Sequence, residues 1–361
     1  MKLIHTADLH LDSKMESNLP KEKALQRKNE ILETFKRMVS YAADNDVEGI
    51  LISGDLFDKS SPSKFAQNIV ISAIKDNKNI KFFYLKGNHD EGSFFETLEE
   101  YPENLLMFSD EWEGYEFGDN VVITGVNMGK DKPIYSSLTL DTRKINIVML
   151  HGQESSYKSG DKAEEIALSE LKNKGIDYLA LGHVHFYKNE SLDGRGVYCY
   201  PGCLEGRGFD ECGVHGFVLL DIDEEKKKVV STFIPFAFRQ LFELRVNVSE
   251  ALTTADVEKI ISDEIESRHY SNEALVKIVL EGAISIEAEI NEKYLEEHFS
   301  GSFYFTKIKN ETTISIDYEA YASDQSLKGE FVRTVKADNS LSEEEKALVI
   351  KTGIDALRGN R

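Results

Sequence analysis

Short apolar runs recur along the first half of the chain, and five of them stop at a polar cluster that an ordinary turn does not need. LIHTA runs into Asp8-x-His10, GILIS into Gly54-Asp55-x-x-Asp58, KFFYLK into Gly87-Asn88-His89-Asp90, INIVML into His151-Gly152, and YLAL into Gly182-His183-x-His185. Runs of this length, rich in β-branched and aromatic residues, read as buried strands. Five of the nine histidines therefore stand at strand ends. A chain built this way must fold so that several strand termini serve one place.

Between the runs the periodicity becomes helical. Ile31, Leu32, Phe35, Met38, Val39 and Ala42 recur at three- and four-residue spacing and predict a helix over 21–45. Further helices are expected over 64–76 and 94–100, so the opening segment has a βαβαβ rhythm, with loops at the strand C-termini carrying the polar clusters. From Trp112 the pattern turns strand-rich through VVITGV and INIVMLHG. A helix over 163–174 is expected before YLALGHVH, and VYCYP, GFVLLDID and KVVSTFIPF read as strands. The expected organisation is α/β: a first domain over 1–235, a smaller α+β domain over 236–335, and a C-terminal helix within 336–361. The second domain reads as LFELRVNV, a helix over 254–268, ALVKIVLEG, a helix over 285–298 and SFYFTKIK, with none of the polar motifs. In the final helix, over 341–357, Ser342 is the expected N-cap and Glu343 to Glu345 fill the first turn.

Charge limits the partners. The formal net charge is −21, with −12 in the first 235 residues and −9 in the remainder, so neither half is a basic domain. Non-specific nucleic-acid binding draws on phosphate neutralisation by Lys and Arg, and this balance argues against tight, unaided binding. Bound divalent cations would change the sign locally. The three cysteines, Cys199, Cys203 and Cys212, form no even-numbered disulfide framework, lack a paired CxxC and have no fourth thiol for a structural zinc. With no leader or membrane-length apolar run in view, a cytoplasmic location is expected.

The motif residues have the chemistry of a dinuclear metal centre. Two divalent cations roughly 3.5–4 Å apart serve phosphoester hydrolysis by lowering the pKa of water and stabilising both the entering and the leaving oxygen. Such a centre needs one bridging carboxylate flanked by oxygen and imidazole ligands. Asp55 is the expected bridge, with Asp8, His10 and His185 on one metal and Asn88, His151 and His183 on the other. His89 is left to protonate the leaving oxygen, and Asp58 to orient its ring. Each motif alone is equally a loop of capping and turn residues; it is the ordered set that points to metal. His5, His215, His269 and His298 lie outside the motifs and read as core or surface positions.

Taken in order, D-x-H, GDxxD, GNHD, HG and GHxH resemble the calcineurin-like metallophosphoesterases over roughly residues 1–235. HTADLHLDS, SGDLFDKSSPS, LKGNHD, LGHVH and YPGCLEGRGFDE look closer to the DNA repair nuclease branch, of SbcD and Mre-eleven type. The resemblance implies a four-layer αββα sandwich followed by a smaller α+β cap domain. It further implies two manganese ions, with Mg2+ or Fe2+ as alternatives, nuclease activity at DNA ends, homodimerisation and an SMC-like ATPase partner. Departures from that branch are Leu11-Asp12-Ser13, where many members have His-Leu-Gly, and Cys203, where YPGS is usual. Protein Ser/Thr phosphatases carry Arg and Glu where this chain has Lys59 and Asp90. The leading expectation is a Mn-dependent DNA exonuclease or endonuclease acting in repair. The alternatives are a protein phosphatase, a cyclic-nucleotide phosphodiesterase, or a DNA-tethering, ATPase-regulating subunit with little turnover. Arg207, in the Gly-rich loop, is the expected phosphate contact, or else a structural partner of Glu205 or Asp210.

Overall fold

The computed structural model describes residues 1–15, 19–58, 62–90, 95, 98, 100–127, 135–155 and 165–358. They divide into two compact units, Met1–Gln240 and Leu241–Arg361.

The first unit contains β1 (Lys2–Thr6), α1 (Lys21–Asp44), β2 (Gly49–Ser53), α2 (Lys64–Asp76), β3 (Lys81–Leu85), β4 (Leu105–Met107), β5 (Glu113–Phe117), β6 (Val121–Gly125), β7 (Ile145–His151), β8 (Gln153–Ser155), β9 (Glu165–Ala167), α3 (Leu168–Leu171), β10 (Tyr178–Gly182), β11 (Lys188–Ser191), β12 (Val197–Tyr200), β13 (Gly216–Asp223) and β14 (Lys228–Pro235). One six-stranded sheet has the order β14-β13-β1-β2-β3-β4 and the other β11-β12-β10-β7-β6-β5. In the first, β1 to β4 run parallel. In the second, β6, β7, β10 and β12 run parallel. Antiparallel strands finish both edges of the second sheet and the β14 edge of the first, whose other edge is the parallel β4.

The two sheets face each other across one core. Leu3, Leu51, Phe83 and Leu85 of the first sheet pack with Ile145, Ile147, Met149, Tyr178 and Ala180 of the second. The alternate residues of β7 and β10, Val148, Leu150, Leu179 and Leu181, join a separate cluster on the outer side with Leu171 and Ile176. These strands are buried on both faces, which is why they read as continuous apolar runs without alternation. On the first sheet the outward residues meet helix: Tyr41 of α1 packs its ring against Phe217 of β13 at 5.3 Å. The result is a sandwich of two mixed sheets with helix packed outside, in keeping with the architecture the resemblance implies.

Two local expectations for this unit need correction. Instead of a helix over 163–174, Glu165–Ala167 pairs in parallel with Gln153–Ser155, and only Leu168–Leu171 is helical. Asn173 and Gly175, at φ 61° and 88°, end the segment before Ile176 enters the core. The helix expected over 94–100 falls largely outside the described residues, as does Lys59. Residues 236–240 belong with the first unit: the Phe236 ring lies 5.0 Å from that of Phe217, and Arg239 pairs with Glu30 of α1 at 2.8 Å.

The second unit begins with β15 (Leu241–Asn247), α4 (Thr254–Arg268) and β16 (Leu275–Glu281), followed by β17 (Ala283–Ser285), α5 (Glu292–Phe299), β18 (Phe305–Asn310) and β19 (Thr313–Ser315). β15, β16 and β18 form a parallel sheet in that order. Its core joins Val246, Ile278 and Leu280 to Val257 and Ile261 of α4 and Leu295 and Phe299 of α5. The second helix starts later than its periodicity predicts, because Ala283–Ser285 pairs with Thr313–Ser315 and Asn291 caps α5. Three helices close the chain: α6 (Tyr318–Ala322), α7 (Leu327–Ala337) and α8 (Glu343–Arg358). Ser342 caps α8 reciprocally with Glu345: its Oγ accepts the Glu345 N–H at 3.3 Å, and Glu345 Oε2 accepts the Ser342 N–H at 2.7 Å.

Candidate metal centre

β1, β2, β3, β7 and β10 run parallel within their sheets, so the motif that follows each emerges at its C-terminal end. The two sheets close in at this edge. The Ser53 carbonyl, at the end of β2, lies 2.9 Å from His151 Nδ1, at the end of β7. A Cβ on Gly182 would sit 1.9 Å from the Ser53 carbonyl oxygen, and one on Gly87 would sit 2.1 Å from Asp55 Oδ1. Only glycine permits these approaches.

The loops are strained to bring their side chains together. Asp8, His10, Asp12, Asp55 and His183 all have positive φ, at 51°, 43°, 67°, 53° and 99°. Non-glycine residues in this region cost on the order of 1–3 kcal/mol each, and hydrogen bonds hold them there. His10 N–H donates to the Asp55 carbonyl at 2.9 Å, and His183 N–H donates to both Asp8 carboxylate oxygens at 2.9 and 3.0 Å. Asp90, 2% exposed, accepts the N–H groups of Gly87, Leu56 and Phe57 at 3.0–3.3 Å and so ties the loop after β3 to the loop after β2. Burial and the neighbouring Asp55 charge push its carboxyl above the usual range. Asp12 accepts from both the N–H and the hydroxyl of Ser63 at 2.9 Å and pairs with Lys28 at 2.7 Å.

At the centre lies Asp55, 2% exposed. Its Oδ2 is 3.7 Å from His10 Nε2 and 3.5 Å from His151 Nε2, while its Oδ1 accepts the His89 N–H at 3.0 Å. On one side, His10 Nε2 and His185 Nε2 face each other at 3.3 Å, and ligand atoms of Asp8, His10 and His185 all lie within 4.8 Å of one another. On the other, His151 Nε2 is 3.0 Å from Asn88 Oδ1, and ligand atoms of Asp8, Asp55 and His151 form a second such group. The His183 ring stands edge-on to His151 with centroids 5.4 Å apart. Ligand atoms of His10, Asp58 and His89 make a third group, and the His89 ring lies 5.1 Å from that of His10. His89 and Asn88 are exposed, whereas Asp8, His10 and His151 are 1–2% exposed. Asp8, His10 and His151 thus gather around Asp55, with His185 against His10 and Asn88 against His151; of the expected ligands His183 is in none of these groups, and His89 lies at the solvent side.

The electrostatics fit a cation. Burial opposes charge on Asp55, yet the His151 and His10 imidazoles and the His89 N–H hold its carboxyl well below the usual range. Burial likewise opposes charge on His151, but Asp55, Asp8 and the Ser53 carbonyl raise it to about 9. Buried carboxylates facing imidazoles need a positive partner, which is what a divalent ion supplies in a site of this composition. Two imidazole nitrogens facing each other at 3.3 Å gain a shared partner in the same way.

Arg207, the expected phosphate contact, is paired with two carboxylates. Its side chain is 19% exposed, with Nη1 donating to Asp58 Oδ1 at 3.0 Å and Nη2 to Glu211 Oε1 at 2.8 Å. Its carboxylate partners are thus Asp58 and Glu211 in place of the expected Glu205 or Asp210, and Glu205 accepts instead from Arg27 and Thr34 at 2.7 Å. Asp58 meets His10, Oδ1 to Nδ1, at 3.3 Å. Glu211 closes the YPGCLEGRGFDE segment but no spacing rule assigns it a role, and its Oε1 lies 2.7 Å from His185 Nδ1. The available signal is an acidic residue in a Gly-rich loop among apolar strands. Of the cysteines, Cys199 and Cys203 are buried, and Cys203 Sγ lies 3.2 Å from His215 Nδ1.

The chain belongs to the calcineurin-like phosphoesterases, whose family model matches residues 1–187; it is a metal-dependent phosphoester hydrolase. Within that class it is similar to the DNA double-strand break repair protein Mre11 of Sulfolobus acidocaldarius, 26% identical over 309 residues that cover 80% of this chain and 77% of that protein. It is similar to the uncharacterized metallophosphoesterase YhaO of Bacillus subtilis, 27% identical over 301 residues, 78% of this chain and 72% of the relative. It is also similar to a subunit of the nuclease SbcCD of Staphylococcus epidermidis, 27% identical over 309 residues, 75% and 77% respectively. Among the described residues no helix is long and apolar enough to cross a membrane.

Proposed function

We propose that the protein is a two-metal phosphodiesterase that cleaves DNA at its ends in repair, with Mn2+ as the working metal and an SMC-like ATPase as partner. The observation that carries the chemistry is Asp55, a buried carboxylate with one oxygen 3.7 Å from His10 and 3.5 Å from His151. Asp55 would be shared between two ions, Asp8, His10 and His185 would hold one, and Asn88, His151 and His183 would hold the other. The bound pair supplies an activated water and neutralises the phosphate. His89, on the exposed rim within reach of Asp58 and His10, delivers a proton to the departing oxygen. Asp58 orients the imidazoles beside it. DNA as substrate rests on the Mre11 and SbcCD relatives and on a second unit larger than a small-molecule phosphodiesterase requires. Homodimerisation and a cytoplasmic location belong to the same reading.

The test is hydrolysis of linear double-stranded DNA with labelled ends, at low salt with Mn2+, beside a phosphomonoester, a cyclic nucleotide and bis-p-nitrophenyl phosphate. End-dependent DNA cleavage is the expected result. Hydrolysis of the small diester without cleavage of DNA, with or without an added ATPase partner, would retain the site chemistry and reject the substrate.

A further inference from the structure

Beyond the ligands, a closed circuit of side chains surrounds one half of the centre. His185 presents Nε2 to His10 Nε2 at 3.3 Å and Nδ1 to Glu211 Oε1 at 2.7 Å. The same Glu211 oxygen accepts from Arg207 Nη2 at 2.8 Å, and Glu211 Oε2 accepts the Arg207 backbone N–H at 2.7 Å. Arg207 then reaches Asp58 at 3.0 Å, and Asp58 reaches His10 Nδ1 at 3.3 Å, which returns the circuit to its start. Both imidazoles thus have Nδ1 turned to a carboxylate and Nε2 turned to the centre, and one guanidinium spans the two carboxylates. The His151 half is built otherwise, with Nδ1 on the Ser53 backbone carbonyl at 2.9 Å.

We infer that Glu211 and Arg207 are positioning residues for the ion held by Asp8, His10 and His185. Glu211 keeps the His185 proton on Nδ1 and its lone pair on Nε2, and Arg207 locks Glu211 and Asp58 at the spacing that aims both imidazoles at one point. This inference rests on the dinuclear reading of the site. A carboxylate behind a ligating histidine fixes its tautomer and ring direction, and a planar guanidinium holds two carboxylates in a fixed fork, whereas a freely rotating ammonium does not fix their geometry. All three guanidinium nitrogens of Arg207 are engaged, since its Nε also faces Glu211 Oε1 at 3.2 Å.

The circuit predicts an asymmetric defect. The experiment is Mn2+ binding to the full chain, followed by titration calorimetry and by the EPR signal of free Mn2+, for wild type, Glu211→Gln and Arg207→Lys, with the thermal midpoint of each metal-free protein. Both variants are expected to weaken one of the two ions by about 10–100-fold, the usual effect of losing such an outer partner, while the other ion binds as in wild type. Wild-type affinity for both ions in the variants, or a lower thermal midpoint with both affinities shifted together, would make the circuit a structural ion pair only and overturn the inference. Should Glu211→Gln fail to fold, Arg207→Lys, which keeps the charge, decides the matter by the same readouts. A wild type that takes up no Mn2+ would instead overturn the dinuclear reading itself.

Discussion

Both units are acidic, but they handle charge in opposite ways. In the first, Asp8, Asp55, Arg27, Glu205, Glu211 and Arg239 are all at most 5% exposed, and the site loops hold five non-glycine residues at positive φ. In the second, Glu243, Arg245, Lys277, Glu281 and Glu311 pair across the open face of β15, β16 and β18, with the Arg245 side chain 51% exposed. Its non-glycine positive φ among the described residues is His269, which ends α4. Burying charge and straining backbone both cost free energy; Arg27, Arg239, Glu30 and Glu205 offset it by pairing with one another, whereas at Asp8 and Asp55 a cation would offset it. Exposed pairs on a sheet face are solvated and contribute little.

The comparison breaks most visibly at its centre. Asp55→Ala should abolish hydrolysis and release both ions together, read by metal analysis of the purified protein and by turnover of bis-p-nitrophenyl phosphate; retention of either ion would remove Asp55 from its bridging role. Next in size, His89→Ala should lower the rate about 10²–10⁴-fold, the range for a general acid, with both ions still bound. If that variant strips an ion, His89 is a ligand and the acid lies elsewhere.

Packing at the sheet junction gives a third test. Gly182→Ala places a methyl 1.9 Å from the Ser53 carbonyl and 2.7 Å from His151 Nδ1, whereas Gly194 has nothing within 4 Å of its position. At an overpacking cost of about 3 kcal/mol, the first should lower the thermal midpoint by roughly 5–10 °C. Gly194→Ala should leave it unchanged, and equal effects would deny the close approach of the sheets.

Acid sensitivity sharpens the contrast further. Burial opposes charge on Glu30, yet hydrogen bonds from Arg239 and Arg27 hold its carboxyl below the usual range. A depressed folded-state pKa contributes stability above the unfolded value, near ~4.3 for Glu, and that stability is lost as pH falls through the folded value. Glu30→Gln should therefore be less stable than wild type at pH 7, with the gap narrowing below about pH 4 in a series of thermal melts. The smallest effect belongs to the second unit: Arg245→Ala should melt within error of wild type at about 0.15 M salt, where exposed pairs are screened. A large loss there would erase the distinction between the units.

Much of the fold is legible in the sequence because its central strands are buried on both faces. Val148 and Leu150 face one cluster while Ile147 and Met149 face another, so the run INIVML announces a strand without needing alternation. The helix expected over 163–174 does not form because its apolar residues, Ile166 and Leu171, serve a short strand pair and one helical turn equally well. The candidate ligand set is legible because each member follows such a run. Glu211 is not, since its partner His185 is 26 positions away and no spacing rule links them. Arg207 stands out in its Gly-rich loop, but charge alone does not say whether a guanidinium meets a phosphate or two carboxylates, and here it meets the carboxylates of Asp58 and Glu211.

By itself, the amino-acid sequence determined the strand ends, the residue types gathered there and hence the metal chemistry, since these depend on local apolar runs and on the donor atoms of each side chain. Tertiary structure alone decided which imidazole nitrogen faces inward, which carboxylate stands behind it, and that Phe236 and Arg239 close the first unit instead of opening the second. Those outcomes depend on contacts between residues far apart in the chain, and such contacts are settled only when the two sheets have packed.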